Sequence, residues 1–87
     1  MSHLFNEIAQ IISNVSNIPI DKIHPHSHLI NDLQVDSLGI LDATFDIEKK
    51  YDIKIPIENW IHDTAENPTA FTMDTLTTKI QQLIDQK

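Results

Sequence analysis

Two short stretches hold residues with chemistry to offer. In Asp36-Ser37-Leu38 a serine hydroxyl stands beside a carboxylate, where a long polar connection gives way to apolar residues at helical spacing. A serine at a helix start lies near unpaired backbone N–H groups and the positive end of the macrodipole, which together accommodate a phosphate group. Asp36 adds a hard oxygen that can help hold Mg²⁺ while a phosphate-bearing donor is attacked. The plainer reading is that Ser37 is the helix N-cap, the commonest task of a serine there. No histidine stands at a spacing that makes it a base for Ser37, and the nearest, His28, lies in the connection. Ser37 is therefore a candidate attachment point and not a catalyst.

The second stretch is His24-Pro25-His26-Ser27-His28. Histidines two apart can chelate a borderline divalent ion if Asp21 or Asp32 completes the sphere. The alternative is a set of solvent-exposed histidines that add pH sensitivity beside an acidic helix. Other chemistries are excluded by composition. There is no cysteine, so neither a disulfide nor a thiolate is available, which fits a reducing compartment. The single glycine, Gly39, rules out a glycine-rich phosphate loop and the central glycine of a calcium loop.

The 87 residues are expected to form one domain, 1–87, with a modest core and no room for a deep substrate cleft. Met1 to Glu7 has no basic segment ahead of an apolar run, so it does not read as a signal peptide, and no run is long enough to span a membrane. A cytoplasmic, monomeric protein is the expectation. Thirteen acids face six bases, all lysine, for a formal charge of −7. Such a surface repels nucleic acid and favours partners with basic patches.

Four helices and two long connections must position these residues. Leu4, Ile8, Ile11, Ile12 and Val15 make an amphipathic stripe over about 3–15, with Ser2 as its N-cap. A connection with Pro19 and Pro25 follows, pinned by Ile18, Ile20, Ile23, Leu29, Ile30, Leu33 and Val35, with a helical turn near 21–23. The second helix is predicted over 37–51, with Leu38, Leu41 and Phe45 joining Ile40, Thr44, Ile47 and Tyr51 in one wide apolar face. Asp42, Asp46 and Lys50 lie opposite, Asp46 pairing with Lys50 and Asp42 repelling Asp46. Asp52 to Ile55 reads as an extended linker with two buried isoleucines, and Pro56 starts a short third helix over 57–61 with Trp60 in the core. An irregular stretch 62–72, with a turn at Asn67-Pro68, leads to a last helix over 73–86, capped by Thr72 and burying Leu76, Ile80, Leu83 and Ile84. The fold class is all-α, an irregular four-helix bundle with a long first loop and a short third helix.

The stretch Asn31-Asp32-Leu33-Gln34-Val35-Asp36-Ser37-Leu38 resembles the phosphopantetheine attachment motif of acyl carrier proteins. The resemblance continues through Asp42, Phe45, Ile47 to Tyr51 and Ile53 to Pro56, and it extends to helix order and the long first loop. It implies that Ser37 bears a 4′-phosphopantetheine, added by a phosphopantetheinyl transferase from coenzyme A with Mg²⁺, and that Asp36 assists the transfer. It further implies that Asp32, Asp42, Asp46 and Glu48 form a surface read by acyl synthases and acyltransferases. Those five acids from Asp32 to Glu48, Asp36 included, have no base among them. The protein would then be a carrier acted on by enzymes, with its reactive thiol supplied by the arm.

In the family the acyl chain is partly sheltered among the helices, which makes Leu41, Phe45, Ile55, Ile61 and Leu76 candidates here, each equally explained as packing. Lys49 and Lys50 stand where common carriers are usually acidic, and Ile55 to Trp60 is also atypical. These features look like the specialised carriers that deliver very-long-chain hydroxyacyl groups to lipid A in rhizobia and relatives. Carriers for fatty acid, polyketide or peptide synthesis remain open, as does an acidic docking module that carries nothing.

Overall fold

In the computed structural model, residues 3–66 and 71–86 are described, and the expected Ser2 cap and Asn67-Pro68 turn lie outside them. Four helices follow one another, α1 (His3–Ser16), α2 (Ser37–Tyr51), α3 (Ile57–Glu66) and α4 (Met73–Asp85), with a 3-10 turn at Ile20–Lys22 in the first connection. No residue among those described belongs to a β-strand, so the all-α expectation holds.

The core gathers where α1 packs closely against both α2 and α4. Helix α1 buries Leu4, Phe5, Ile8, Ala9 and Ile12, a stripe turned toward Phe5 and Ala9 and leaving Ile11 and Val15 at the margin. Helix α2 buries Gly39, Ile40, Ala43, Thr44 and Ile47, while α4 contributes Met73, Leu76, Thr77 and Ile80. The buried threonines return their hydroxyls to their own helices, Thr44 Oγ1 donating to the Ile40 carbonyl at 2.7 Å and Thr77 Oγ1 to that of Met73 at 2.8 Å. Neither hydroxyl is thereby stranded on the apolar faces.

Two expectations about the elements are corrected. Helix α3 runs to Glu66 instead of ending near Ile61, which shortens the second connection. The row Leu38, Leu41 and Phe45 lies outside the core at 72, 39 and 58% exposed, because α1 meets α2 on its Ile40–Ala43–Ile47 side. Ile53 and Ile55 are buried in the extended linker, as their alternation requires.

The first connection is tied down by backbone as well as side chains. Ile23, Leu29 and Val35 enter the core, whereas Ile20 and Ile30, expected to pin it, are exposed. It is braced against the entrance to α4. Leu29 N–H donates to the Phe71 carbonyl, Met73 N–H to that of Ser27 and Asp74 N–H to that of Pro25, at 3.1, 2.9 and 2.8 Å. These long-range bonds hold the segment that delivers the chain to Ser37.

Candidate functional site

Helix α2 begins where expected but is capped by a different residue. Asp36, in extended backbone, accepts from the Gly39 N–H through Oδ1 at 2.8 Å, so Asp36 is the N-cap and Ser37 the first helical residue. The plainer reading of Ser37 as a cap is thus corrected. Ser37 is exposed, and its hydroxyl has no hydrogen-bond partner among the described residues. Its own N–H and that of Leu38 precede the first intrahelical bond and point out of the helix end.

Gly39, which sequence reasoning used only to exclude other motifs, shapes this corner. A Cβ there would stand 3.0 Å from Val35 Cγ1 and 3.3 Å from Asp36 Oδ1, with Ser16 Oγ at 3.7 Å. The lack of a side chain lets the first turn of α2 settle on buried Val35 and on the end of α1 while the cap stays formed. The donor set fits a phosphate ester on Ser37: an accessible hydroxyl, outward N–H groups, and a neighbouring carboxylate with one oxygen already engaged. A 4′-phosphopantetheine joined there would supply a terminal thiol.

The acidic residues divide in two. Asp42 and Asp46 are exposed on α2 beside Leu38, Leu41 and Phe45. Glu48 instead turns inward, Oε2 accepting from the Ile55 N–H at 2.8 Å, and Asp32 Oδ2 accepts from the His28 N–H at 2.8 Å. Both hold backbone in place, so the outward acidic surface of α2 narrows to Asp42 and Asp46. Around it the apolar row forms the middle of a mixed face, a pattern the helical period alone assigned to the core.

Lys50, expected to pair with Asp46, reaches across to α1 and meets Glu7 Oε2 at 3.2 Å. The hydrogen bond from Lys50 holds the Glu7 carboxyl below its usual range, with help from Tyr51 and the charges of Lys50 and His3. Burial, reinforced by the facing Glu7 carboxylate, pushes the Tyr51 phenol up to about 12. This knot joins α1 to the last turn of α2.

The histidine stretch separates. His24 and His26 are exposed, but His28 is buried with its ring edge-on to Phe71, the centroids 6.4 Å apart. Its Nδ1 accepts from the N–H groups of both Ile30 and Asn31 at 3.1 Å. The expectation of three exposed or metal-ligating histidines is corrected, since one of them is a turn organiser. No cluster able to hold a metal occurs among the described residues.

Among α1, α2, α4 and the linker lies an apolar cavity lined by Ile12, Ile40, Ile47, Ile55, Trp60 and Leu76, among others, with a free volume of about 10 Å³. Of the five residues considered for an acyl chain, Ile55 and Leu76 line it. Leu41, Phe45 and Ile61 are exposed instead, Ile61 at 40%. Sequence reasoning also missed Lys79, whose Nζ lies 5.2 Å from the centre of the Trp60 ring and 4.0 Å from Asp63 Oδ2. The i, i+3 spacing of Trp60 and Asp63 signals a shared helix face, but a partner on α4 leaves no local trace.

No helix among the described residues is long and apolar enough to cross a membrane. Comparison with known proteins agrees with the motif. A family model described as a phosphopantetheine attachment site matches residues 6–69. The acyl carrier protein AcpXL of Mesorhizobium japonicum is 41% identical, the alignment covering 100% of this chain and 98% of that protein. AcpXL of Brucella melitensis is 43% identical over the same shares. The acyl carrier protein of Buchnera aphidicola subsp. Schizaphis graminum is 36% identical, covering 68% of this chain and 75% of its own length.

Proposed function

The chain belongs to the acyl carrier proteins, which carry acyl groups on phosphopantetheine for lipid biosynthesis, and from that premise we propose that Ser37 is the residue that bears the arm. One observation carries this: Ser37 alone in the motif pairs an exposed, unengaged hydroxyl with the outward N–H groups of a helix start. Asp36 assists the transferase from its cap position, keeping one carboxylate oxygen available for the Mg²⁺ that accompanies coenzyme A. Residues 1–87 act as one carrier domain in the cytoplasm, as a monomer without catalysis of its own. Asp42 and Asp46, with Asp32 at the end of the loop, steer basic patches of the transferase, synthases and acyltransferases toward the arm.

The test is the intact mass of the protein made together with a competent phosphopantetheinyl transferase. One added phosphopantetheine is expected, and none on Ser37→Ala. Modification that survives that substitution would move the attachment site elsewhere. No modification by several transferases would favour a docking module.

For the cargo, we infer a very-long-chain hydroxyacyl group bound for lipid A. Support comes from Lys49, Lys50 and the Ile55–Trp60 tract, where the chain resembles carriers of that kind. It also comes from the fuller cover by the Mesorhizobium and Brucella carriers than by the Buchnera one. Chains of ordinary fatty-acid length on protein isolated from its own cells would overturn this reading.

A further inference from the structure

The apolar cavity is too small for an acyl chain as it stands. Its free volume of about 10 Å³ is roughly the room that one water needs. An acyl chain can leave water for this interior only if a wall moves. The walls contributed by α1, α2 and α4 belong to helices whose backbones pack closely, α1 against α2 and α1 against α4. The rest of the wall is Leu29 and Phe71, tied together by the Leu29 N–H bond to the Phe71 carbonyl, and Ile55, Ile57 and Trp60 of the linker and α3, and α3 has no such close backbone packing among the described residues. The linker is fixed to Glu48 twice, by the Ile53 N–H bond to its carbonyl and, near the downstream end, by the Ile55 N–H bond to its carboxylate. Movement therefore falls to α3, beyond Ile55.

Lys79 reaches this movable wall from α4. Its ammonium lies over the ring of Trp60, which is buried and lines the cavity, and stands 4.0 Å from the exposed carboxylate of Asp63 one turn along α3. One cation on the fixed part of the bundle thus engages two residues of the moving part. We propose that Lys79 is a clasp on α3, and that with Trp60 as the closing side chain it sets how readily the bundle opens to shelter the acyl chain. Trp60 determines how much chain enters, and Lys79 is a positioning residue acting through it. The inference rests on acyl carriage and adds residues that govern it.

Trp60 is the only tryptophan in the chain, so its fluorescence reports the wall directly. The experiment uses the full chain without the arm, with it, and loaded with saturated acyl groups of increasing length, and reads acrylamide quenching and emission of Trp60. Lys79→Met keeps the apolar stem and removes the cation, whereas Lys79→Arg keeps a cation over the ring. Lys79→Met should raise the quencher-accessible fraction of Trp60 roughly two- to fivefold, the factor a cation–π contact at a partly exposed site is worth, at unchanged helicity. Shorter acyl groups should then suffice to shift its emission, while Lys79→Arg follows the parent. Lys79→Gln serves in the same way should the methionine variant not fold. Quenching in both uncharged variants equal to the parent would overturn the clasp, and so would an arginine variant that behaves like them. Missing phosphopantetheine, read by mass, would instead count against Ser37, because quenching of the unmodified chain does not depend on it.

Discussion

Glu48 offers a sharp test of how structural and docking roles divide on α2. Its Oε2 accepts from the Ile55 N–H at 2.8 Å, and Ile55 is a buried residue of the linker to α3. In Glu48→Ala that N–H loses its acceptor in a place where water reaches it poorly. A hydrogen bond to a charged group is worth about 1.5–3 kcal/mol, and the better helix propensity of alanine returns only a few tenths. With about 2 kcal/mol lost and about 4–8 °C per kcal/mol for a domain of this size, Tm should fall by about 8–16 °C. Glu48→Gln keeps an oxygen at the same reach and gives up only the charge assistance, so its loss should be about half as large. Thermal melts followed by circular dichroism at neutral pH measure both. An alanine variant melting within about 2 °C of the parent would refute the structural role and return Glu48 to the docking surface.

Three other outcomes follow from contacts described above. Gly39→Ala should lose about 1 kcal/mol, because crowding against Val35 and the Asp36 cap outweighs the gain in helix propensity; a denaturant midpoint that rises at constant m would contradict this. His28→Ala removes a buried ring and the acceptor of two backbone N–H groups, and should cost about 2–4 kcal/mol. Faster amide exchange at Ile30 and Asn31 would locate the damage, and unchanged exchange there would show that the imidazole does not organise the turn. The phenol of Tyr51, raised to about 12 in the fold, stabilises the protein fully below the unfolded value near 10. That contribution, on the order of 1–2 kcal/mol once solvent screening is allowed for, is lost as pH rises from about 10 to 12. Denaturant titrations across that range should show a decline that Tyr51→Phe removes.

Much of this was legible in residue order, for identifiable reasons. Helix α2 starts and stops at predicted places because its ends carry local chemistry, the Asp36 cap and a left-handed Asp52 whose N–H returns to the Glu48 carbonyl. Thr72 caps α4 in the same local way, accepting from the Thr75 N–H. The reach of α3 is hidden in the sequence because His62, Asp63 and Thr64 continue no apolar period, and His62, Asp63 and Glu66 of the added turn are exposed. The helical period places Leu38, Leu41 and Phe45 in the core because it counts apolar residues without showing which side a neighbour covers. The burial of His28 depends on Phe71 and the entrance to α4, far away in sequence, so neighbouring residues do not signal it. At the site, the type and place of Ser37 were legible, whereas the engagement of Asp32, Asp36 and Glu48 with backbone was not.

The corners of this chain are turned without glycine. Asn17, Gln34 and Asp52 take left-handed backbone at φ 58, 57 and 55°, while Gly39 sits inside a helix. Asn and Asp tolerate that region through their short polar side chains, but Gln34 bears about 1 kcal/mol of steric cost. Glycine at 34 would relieve it and gain a comparable amount of freedom in the unfolded chain, so equilibrium stability hardly distinguishes the two. What differs is stiffness. A glycine corner two residues before Asp36 would be a pivot, whereas Gln34 makes it a bracket. Whatever is tethered to the start of α2 then sweeps a volume set by the tether's own length and joints, with little added by its mount.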